Sequence, residues 1–249
     1  MASTTAEGKA KRFVPLENNP EVMTSLLQKL GLSSKVAFQD VFSIDEPELL
    51  AFVPRPAYAL LLVFPVSKTY EEFRASEDSG KEEYTGKGEG EEVVWYKQTI
   101  GNACGLIGVL HAVSNGEARE YIVPGSDLDK LLSEAISLEP AKRADLLATS
   151  NAIETAHQAA AQTGDTAPPS ANDSVDLHFV CFVKSQEGHL WELDGRRKGP
   201  LMRGDLGPGE DVLSDKGLQL GVRSFIKREA EAGGGDLRFS LIVLGPSLD

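Results

Sequence analysis

Cys104, His178 and Asp194 are the side chains of this chain whose types and settings suit nucleophilic chemistry. Cys104 follows Lys97-Gln98-Thr99-Ile100-Gly101-Asn102-Ala103, and from Ala103 to Val113 apolar residues occupy nearly every side of a helical wheel, the pattern of a buried helix. With Asn102 as its N-cap, the thiol falls in the first turn, where unpartnered N–H groups and the helix dipole favour a thiolate. Gln98, six residues earlier, can aim its amide at the space beside the sulfur. Together with the Cys104 N–H it would form a two-donor oxyanion hole. Without partners, the same cysteine reads equally as a small buried hydrophobe.

The partners come from one local element. Val175 to Lys184 and His189 to Asp194 read as two strands joined by Ser185-Gln186-Glu187-Gly188. That turn sets His178 opposite Gly195, and a loop one residue shorter sets it opposite Asp194. Opposite residues lie roughly 5 Å apart, so either register brings the imidazole within reach of the carboxylate. A carboxylate on one ring nitrogen fixes the tautomer and leaves the other nitrogen to face a sulfur. Spacing alone does not set this hairpin beside Cys104. Cys181 alternates to the opposite face with Leu177, Phe179 and Val183 and reads as core. His111, two turns along the buried helix, reads as a satisfied core histidine, His157 and His189 as surface residues, and Trp95 and Trp191 as packing aromatics.

The elements that must position these groups interleave strands and helices. After a polar stretch over residues 1–12, expected to be disordered, Asn19, Pro20 and Gly31 bracket a helix with Val22, Leu26, Leu27 and Leu30 on one face. Val36 to Phe42 suggests a strand, Pro47 to Leu50 a helical turn, and Ala57 to Val66 a central strand covered on both faces. Residues 71–92 are charged and lack a periodic apolar face, which predicts a mobile acidic connection. Val93 to Tyr96 favours a short strand. Asp127 caps a helix carrying Leu128, Leu131, Leu132, Ala135 and Ile136, and Pro140 opens another running to about Leu147. Ser150 to Ser174 reads as a long loop, a length that points to function or disorder. Gly204 to Gly209 is a further loop, Asp215 to Ala232 is helical up to Gly233-Gly234-Gly235, and Leu237 to Leu244 is a last strand. With no internal repeat and no linker between cores, residues 13–249 are expected to form one α/β domain.

The chain has 249 residues, of which 41% are apolar and 25% charged, an ordinary globular balance. A net charge of −13 argues against a nucleic-acid phosphate surface. No apolar run has the length to cross a bilayer, and the first residues lack a signal peptide's apolar core. The expectation is a cytoplasmic protein with access to the nucleus and no membrane contact. Two cysteines make no disulfide framework, and neither has a Cys or His at ligand spacing, so no metal or other cofactor is expected.

Gln98-Thr99-Ile100-Gly101-Asn102-Ala103-Cys104-Gly105, Asp176-Leu177-His178-Phe179 and Leu190-Trp191-Glu192-Leu193-Asp194-Gly195-Arg196 closely resemble the motifs of the ubiquitin carboxyl-terminal hydrolase family. So do Val14-Pro15-Leu16-Glu17-Asn18-Asn19-Pro20-Glu21-Val22 and Pro47-Glu48-Leu49-Leu50 to Val53-Pro54-Arg55-Pro56, and the likeness runs in order from about Phe13 to Leu244. The resemblance implies a papain-like α+β fold: a central antiparallel sheet flanked by helices, with a knotted backbone. It makes Cys104 the nucleophile, His178 the general base and acid, Asp194 the orienter of His178, and Gln98 the oxyanion donor. The implied activity is thiol-dependent cleavage of small amides, esters and peptide extensions from the C-terminal glycine of ubiquitin, through an acyl-enzyme. Ser150 to Ser174 would then cross over the active site and admit only slim leaving groups. Glu17 and Glu21 match acidic positions that pair with arginine in the ubiquitin tail; their helix N-terminal charge would also stabilise the helix by itself. The family pattern further implies a monomer whose partner is ubiquitin, with Nedd8 as a second candidate. It also implies no C-terminal extension, since the chain ends five residues past the last expected strand. The rival reading is a ubiquitin-binding protein with a misaligned triad that sequesters ubiquitin without turnover.

Overall fold

Residues 11–173, 175–231 and 238–248 are described by the computed structural model. The expectations for residues 1–10, Ser174, Ala232, Gly233–Gly235 and Leu237 lie outside the described residues. Strands β1 (Val36–Asp40), β2 (Ala59–Pro65), β3 (Leu177–Lys184), β4 (His189–Leu193), β5 (Leu201–Asp205) and β6 (Ser240–Pro246) form one sheet in the order β1-β6-β2-β3-β4-β5. Every neighbouring pair is antiparallel. The helices are α1 (Pro20–Leu30), α2 (Pro47–Leu50), α3 (Lys68–Asp78), α4 (Cys104–Val113), α5 (Asp127–Ile136), α6 (Pro140–Thr149), α7 (Asn151–Ala160), α8 (Asp215–Leu220) and α9 (Val222–Glu231).

The continuous apolar run of β2 is buried on both faces, as its composition demands. Leu61 and Val63 join one core with residues of α1, α4 and α7, while Leu60, Leu62 and Phe64 join a second with Tyr70 of α3 and Phe225 of α9. Helix α1 begins and ends at the expected residues: Asn19 Oδ1 accepts from the Glu21 N–H at 2.9 Å, and Gly31 closes it at φ 116°. Helix α4 is buried on all sides after Cys104 and packs on β3, which carries the sulfur to the end of the strand holding His178.

The structure departs from sequence expectation in several places. Val93–Tyr96 is not a strand, because side chains rather than a neighbouring strand satisfy its backbone. Asn115 accepts from Val94 N–H at 2.7 Å and donates to Val94 O at 3.0 Å, His111 Nε2 accepts from Tyr96 N–H at 2.9 Å, and Arg143 donates to Trp95 O at 3.2 Å. Residues 71–92 do not form a mobile connection throughout. Their first part belongs to α3, whose acidic face binds arginines from across the chain: Arg197 to Glu77 at 2.6 Å and to Asp78 at 2.9 Å, Arg203 to Glu77 at 2.6 Å, and Arg196 to Glu71 at 2.7 Å. The expected long loop contains α7, whose Ile153, Ala156, His157 and Ala160 form an inward stripe against α1.

Smaller differences concern caps, breaks and register. Ser126, not Asp127, caps α5, accepting from Asp129 N–H at 3.1 Å. Gly221 divides the expected last helix into α8 and α9. Leu201–Asp205 is the edge strand β5, which takes in Gly204 and Asp205 from the expected loop. The β3–β4 ladder pairs Lys184 with Leu190 and Cys181 with Leu193. Extended, that register puts His178 opposite Arg196, so neither expected register is correct, and Asp194 lies past the last ladder pair.

Candidate active site

Helix α4 starts one residue later than its sequence suggests. Ala103 is the N-cap, and Asn102 sits in left-handed backbone at φ 59°. Asparagine tolerates that region better than other residues with a side chain. The turn frees the Asn102 amide from capping; it donates instead to the carbonyls of Ala171 at 3.0 Å and Asp173 at 3.3 Å. Cys104 is thereby the first helical residue, partly exposed, so its thiol lies at the dipole-positive end and is reachable from solvent.

His178 enters from the first turn of β3, nearly sealed from water at 2% exposure. Its Nε2 faces Asp194 Oδ1 at 2.8 Å, although Asp194 lies beyond the ladder. Cys104 lines the same cleft and lies in the electrostatic surroundings of the ring. Burial alone would depress the imidazole, but the Asp194 charge and hydrogen bond, with Cys104, push it up to about 9. Asp194 is likewise buried. Burial works to raise its carboxyl, yet His178, the Tyr70 hydroxyl and the Arg196 N–H hold it well below the usual carboxylate range. Trp95 Nε1 donates to the Asp194 carbonyl at 3.1 Å, so this packing aromatic also fixes the backbone of the acid.

Gln98 reaches the cleft from the segment before α4. Its backbone N–H donates to Gly195 O at 2.8 Å, and its Nε2 donates to Ile100 O at 3.3 Å. That leaves a second N–H on Nε2. A cleft of about 380 Å³ is lined by Gln98, Cys104 and His178 together with Leu16, Glu17 and Pro169. Glu17 stands in its wall and accepts from Thr166 through the N–H at 3.0 Å and the hydroxyl at 2.8 Å. Glu21 is not in this cleft; it borders the adjoining groove with Phe42, Phe52 and Leu248. The segment after α7 therefore lines the cleft, tied to Glu17 through Thr166 and to Asn102 through the carbonyls of Ala171 and Asp173.

The remaining singled-out residues are placed mostly as structural parts. Cys181 is sealed in the first core and burial pushes its thiol up. His111 is buried and neutral, depressed to about 3 chiefly by burial. His157 is fully buried against Phe13 rather than on the surface. His189 is half-exposed and bonds Glu92 at 2.6 Å, the same carboxylate that accepts from Trp191 Nε1 at 2.8 Å. Tyr70 escaped the sequence reading, because nothing local marks an aromatic on a charged helix as a neighbour of an acid 124 positions away.

An antiparallel sheet that sets a buried Asp–His pair beside a cysteine at a helix start defines a papain-like thiol hydrolase. A family model described as "Ubiquitin carboxyl-terminal hydrolase, family 1" matches residues 13–227. Ubiquitin carboxyl-terminal hydrolase 3 of Arabidopsis thaliana is 38% identical over 98% of this chain and 98% of its own length. Ubiquitin carboxyl-terminal hydrolase isozyme L1 of Homo sapiens is 39% identical over 92% of this chain and 96% of its own. Among solved structures, the Trichinella spiralis UCH37 catalytic domain bound to ubiquitin vinyl methyl ester shares the fold at a TM-score of 0.71 and 20% identity, covering 97% of both chains. The chain belongs to family 1 of the ubiquitin carboxyl-terminal hydrolases and is a cysteine-type deubiquitinating hydrolase.

Proposed function

We propose that Cys104, His178, Asp194 and Gln98 carry the reaction in this chain, and that Glu17 and Glu21 receive the basic tail of ubiquitin. The observation that supports this most is the buried Asp194–His178 contact at 2.8 Å, with His178 and Cys104 lining one cleft. The Cys104 thiolate attacks the carbonyl of the C-terminal glycine of ubiquitin, and the imidazolium of His178 gives its proton to the departing amine or alcohol. The Cys104 N–H and the second N–H of Gln98 Nε2 face the oxyanion. Water, deprotonated by His178, then cleaves the thioester and releases the ubiquitin carboxylate.

Leaving-group size follows from the segment after α7, which is proposed to cross the cleft. A folded conjugate cannot pass beneath a backbone tied at Glu17 and Asn102, whereas a peptide tail or small adduct can. Nedd8 is proposed as a second substrate, and the active species as a monomer. The holder reading is less favoured, because a buried Asp194–His178 contact at 2.8 Å beside a cleft that Cys104 also lines supports turnover.

Hydrolysis of a fluorogenic ubiquitin C-terminal amide by the protein and by Cys104→Ala tests the assignment. A ubiquitin-derived electrophile serves as trap, and the modified residue is located by mass spectrometry. Turnover lost in the variant and an adduct on Cys104 are expected. Tight ubiquitin binding with neither turnover nor adduct would overturn the proposal.

A further inference from the structure

Asp194 has two carboxylate oxygens, and both are occupied in a fully buried setting. Oδ1 accepts from Arg196 N–H at 2.8 Å and faces His178 Nε2 at 2.8 Å. Oδ2 accepts from the hydroxyl of Tyr70, a residue 1% exposed. Tyr70 sits in the first turn of α3, whose N-cap Ser67 accepts from Tyr70 N–H at 2.9 Å and donates to Glu229 Oε2 of α9 at 2.6 Å. The same helix grips the chain immediately after the acid: Arg74 donates to Arg196 O at 3.0 Å, and Glu71 binds the Arg196 guanidinium at 2.7 Å. The ring is walled in by Phe64 at 4.8 Å and Phe225 at 6.0 Å, and lies 6.0 Å from the His178 ring.

We infer that Tyr70 is a positioning residue of the catalytic site, acting through Asp194 on His178 by fixing the carboxylate plane and sharing its negative charge. The inference rests on the proposed roles of His178 and Asp194. A hydrogen bond to the carboxylate draws charge from it and so weakens its hold on the imidazolium proton. The enzyme needs an intermediate hold: His178 must stay protonated beside a thiolate, yet release that proton to the leaving group. Without Tyr70, Oδ2 is a buried anionic oxygen with no donor, free to turn away from the His178 axis. Burial and the neighbouring Asp194 charge push the Tyr70 hydroxyl far above its ordinary value, so it remains a donor at every working pH. The other groups that face Asp194 are Arg74 on α3, His111 on α4, Glu192 on β4 and the Arg196 N–H, and a Tyr70→Phe substitution removes none of them.

Tyr70→Phe deletes one oxygen and keeps the ring contacts. With a ubiquitin C-terminal amide, kcat is expected to fall about tenfold with KM within about twofold. The alkaline limb of the kcat/KM profile is expected to move up by about half a pH unit or more, because Asp194 then bears more charge toward His178. Phe225→Leu, which disturbs the same aromatic wall without touching Asp194, lowers Tm and leaves the limb in place. Uniform incorporation of 3-fluorotyrosine, a stronger donor, at the five tyrosines moves the limb down in the native sequence but not in Tyr70→Phe. An active wild type whose limb and kcat are unchanged by Tyr70→Phe overturns the inference, as does an equal response of Phe225→Leu. Should Tyr70→Phe not fold, an unmoved limb in the fluorotyrosine protein overturns it. An inactive wild type sinks the catalytic assignment itself instead.

Discussion

The backbone N–H of Gln98 donates to the carbonyl of Gly195 at 2.8 Å, tying the segment that enters α4 to the segment that leaves β4 between the proposed oxyanion donor and the acid. No side chain fits at this tie. A Cβ on Gly195 would lie 2.9 Å from Ile107 Cγ2, 3.0 Å from Gln98 Cβ and 3.0 Å from the Tyr96 carbonyl oxygen. The last of these is backbone and cannot swing aside. Gly195→Ala is therefore expected to cost about 1–3 kcal/mol in denaturant unfolding. Its kcat should fall further than that of an equally destabilised remote variant, because Gln98 and Asp194 are forced apart; a native kcat in folded Gly195→Ala would make the tie dispensable.

The Asp194–His178 pair sets the pH range. Burial opposes both charges, but their attraction wins, raising His178 from an ordinary 6.5 to about 9 and lowering Asp194. The His178 contribution to stability is complete below 6.5 and lost as pH rises through about 9; that of Asp194 is present above the ordinary carboxylate range and lost as pH falls through its lowered value. Activity should fall near pH 9 as the imidazolium is lost. Asp194→Asn should move the alkaline limb down by more than about one unit and cut kcat, because the imidazole loses both its counter-charge and its tautomer. An unchanged rate and limb in that variant would remove Asp194 from its assigned role.

The Glu17 carboxylate is held by Thr166 within the chain. Its pKa is lowered despite partial burial by the hydrogen bonds from Thr166, and the cleft-lining segment depends on them. Thr166→Val removes the hydroxyl bond and leaves the backbone one. Limited proteolysis over residues 163–173 is expected to quicken severalfold, with turnover of a bulkier ubiquitin adduct rising relative to the small amide. Equal proteolysis rates for the two proteins would show that the strap is held elsewhere, at Asn102 above all.

Much of this architecture was legible in the chain, because its signals are local. The β2 run, the Asn19–Gly31 brackets and the all-round apolar pattern of α4 depend on residues within one element. Where sequence reasoning erred, the stabilising partner lies far away. Helix α3 reads as a charged, aperiodic stretch because its inner face is closed by Arg196, Arg197 and Arg203, which stand more than a hundred positions later. Val93–Tyr96 has strand composition, but its donors and acceptors meet Asn115, His111 and Arg143 instead of another strand. The Asp–His pairing was anticipated through a hairpin register that is wrong by at least one residue. The contact forms because the chain bends after Leu193 and brings Asp194 back to the imidazole.

The ion pairs on α3 are testable as structure. Arg197 is 3% exposed and bound by Glu77 and Asp78. Arg197→Ala leaves Asp78 without its cation and Glu77 with Arg203 alone, which is expected to cost about 3 kcal/mol. Arg197→Met restores volume but not charge and should recover little of this unless Glu77 and Asp78 are neutralised with it. Equal stability of Arg197→Ala and the native protein in urea would mean that the network is only ornamental to the fold.

His157 offers a prediction of the opposite sign. The ring is fully buried on α7 against Phe13, at 4.5 Å between centroids, and neither ring nitrogen has a hydrogen-bond partner. Burial lowers its pKa from 6.5 to about 4, so between those values the unfolded chain binds the proton and the folded protein does not. Stability therefore falls as the pH drops from about 6.5 to about 4, by roughly 2–3 kcal/mol from this residue alone. His157→Phe keeps the aromatic volume, removes two unpartnered polar atoms and abolishes that proton uptake. The variant should be more stable by about 1 kcal/mol at neutral pH, with the gain widening at pH 5. Because α7 leads directly into the segment that lines the cleft, its firmer docking should also slow proteolysis there. A Tm difference that does not grow on acidification would show that His157 finds a proton partner which the folded packing does not reveal.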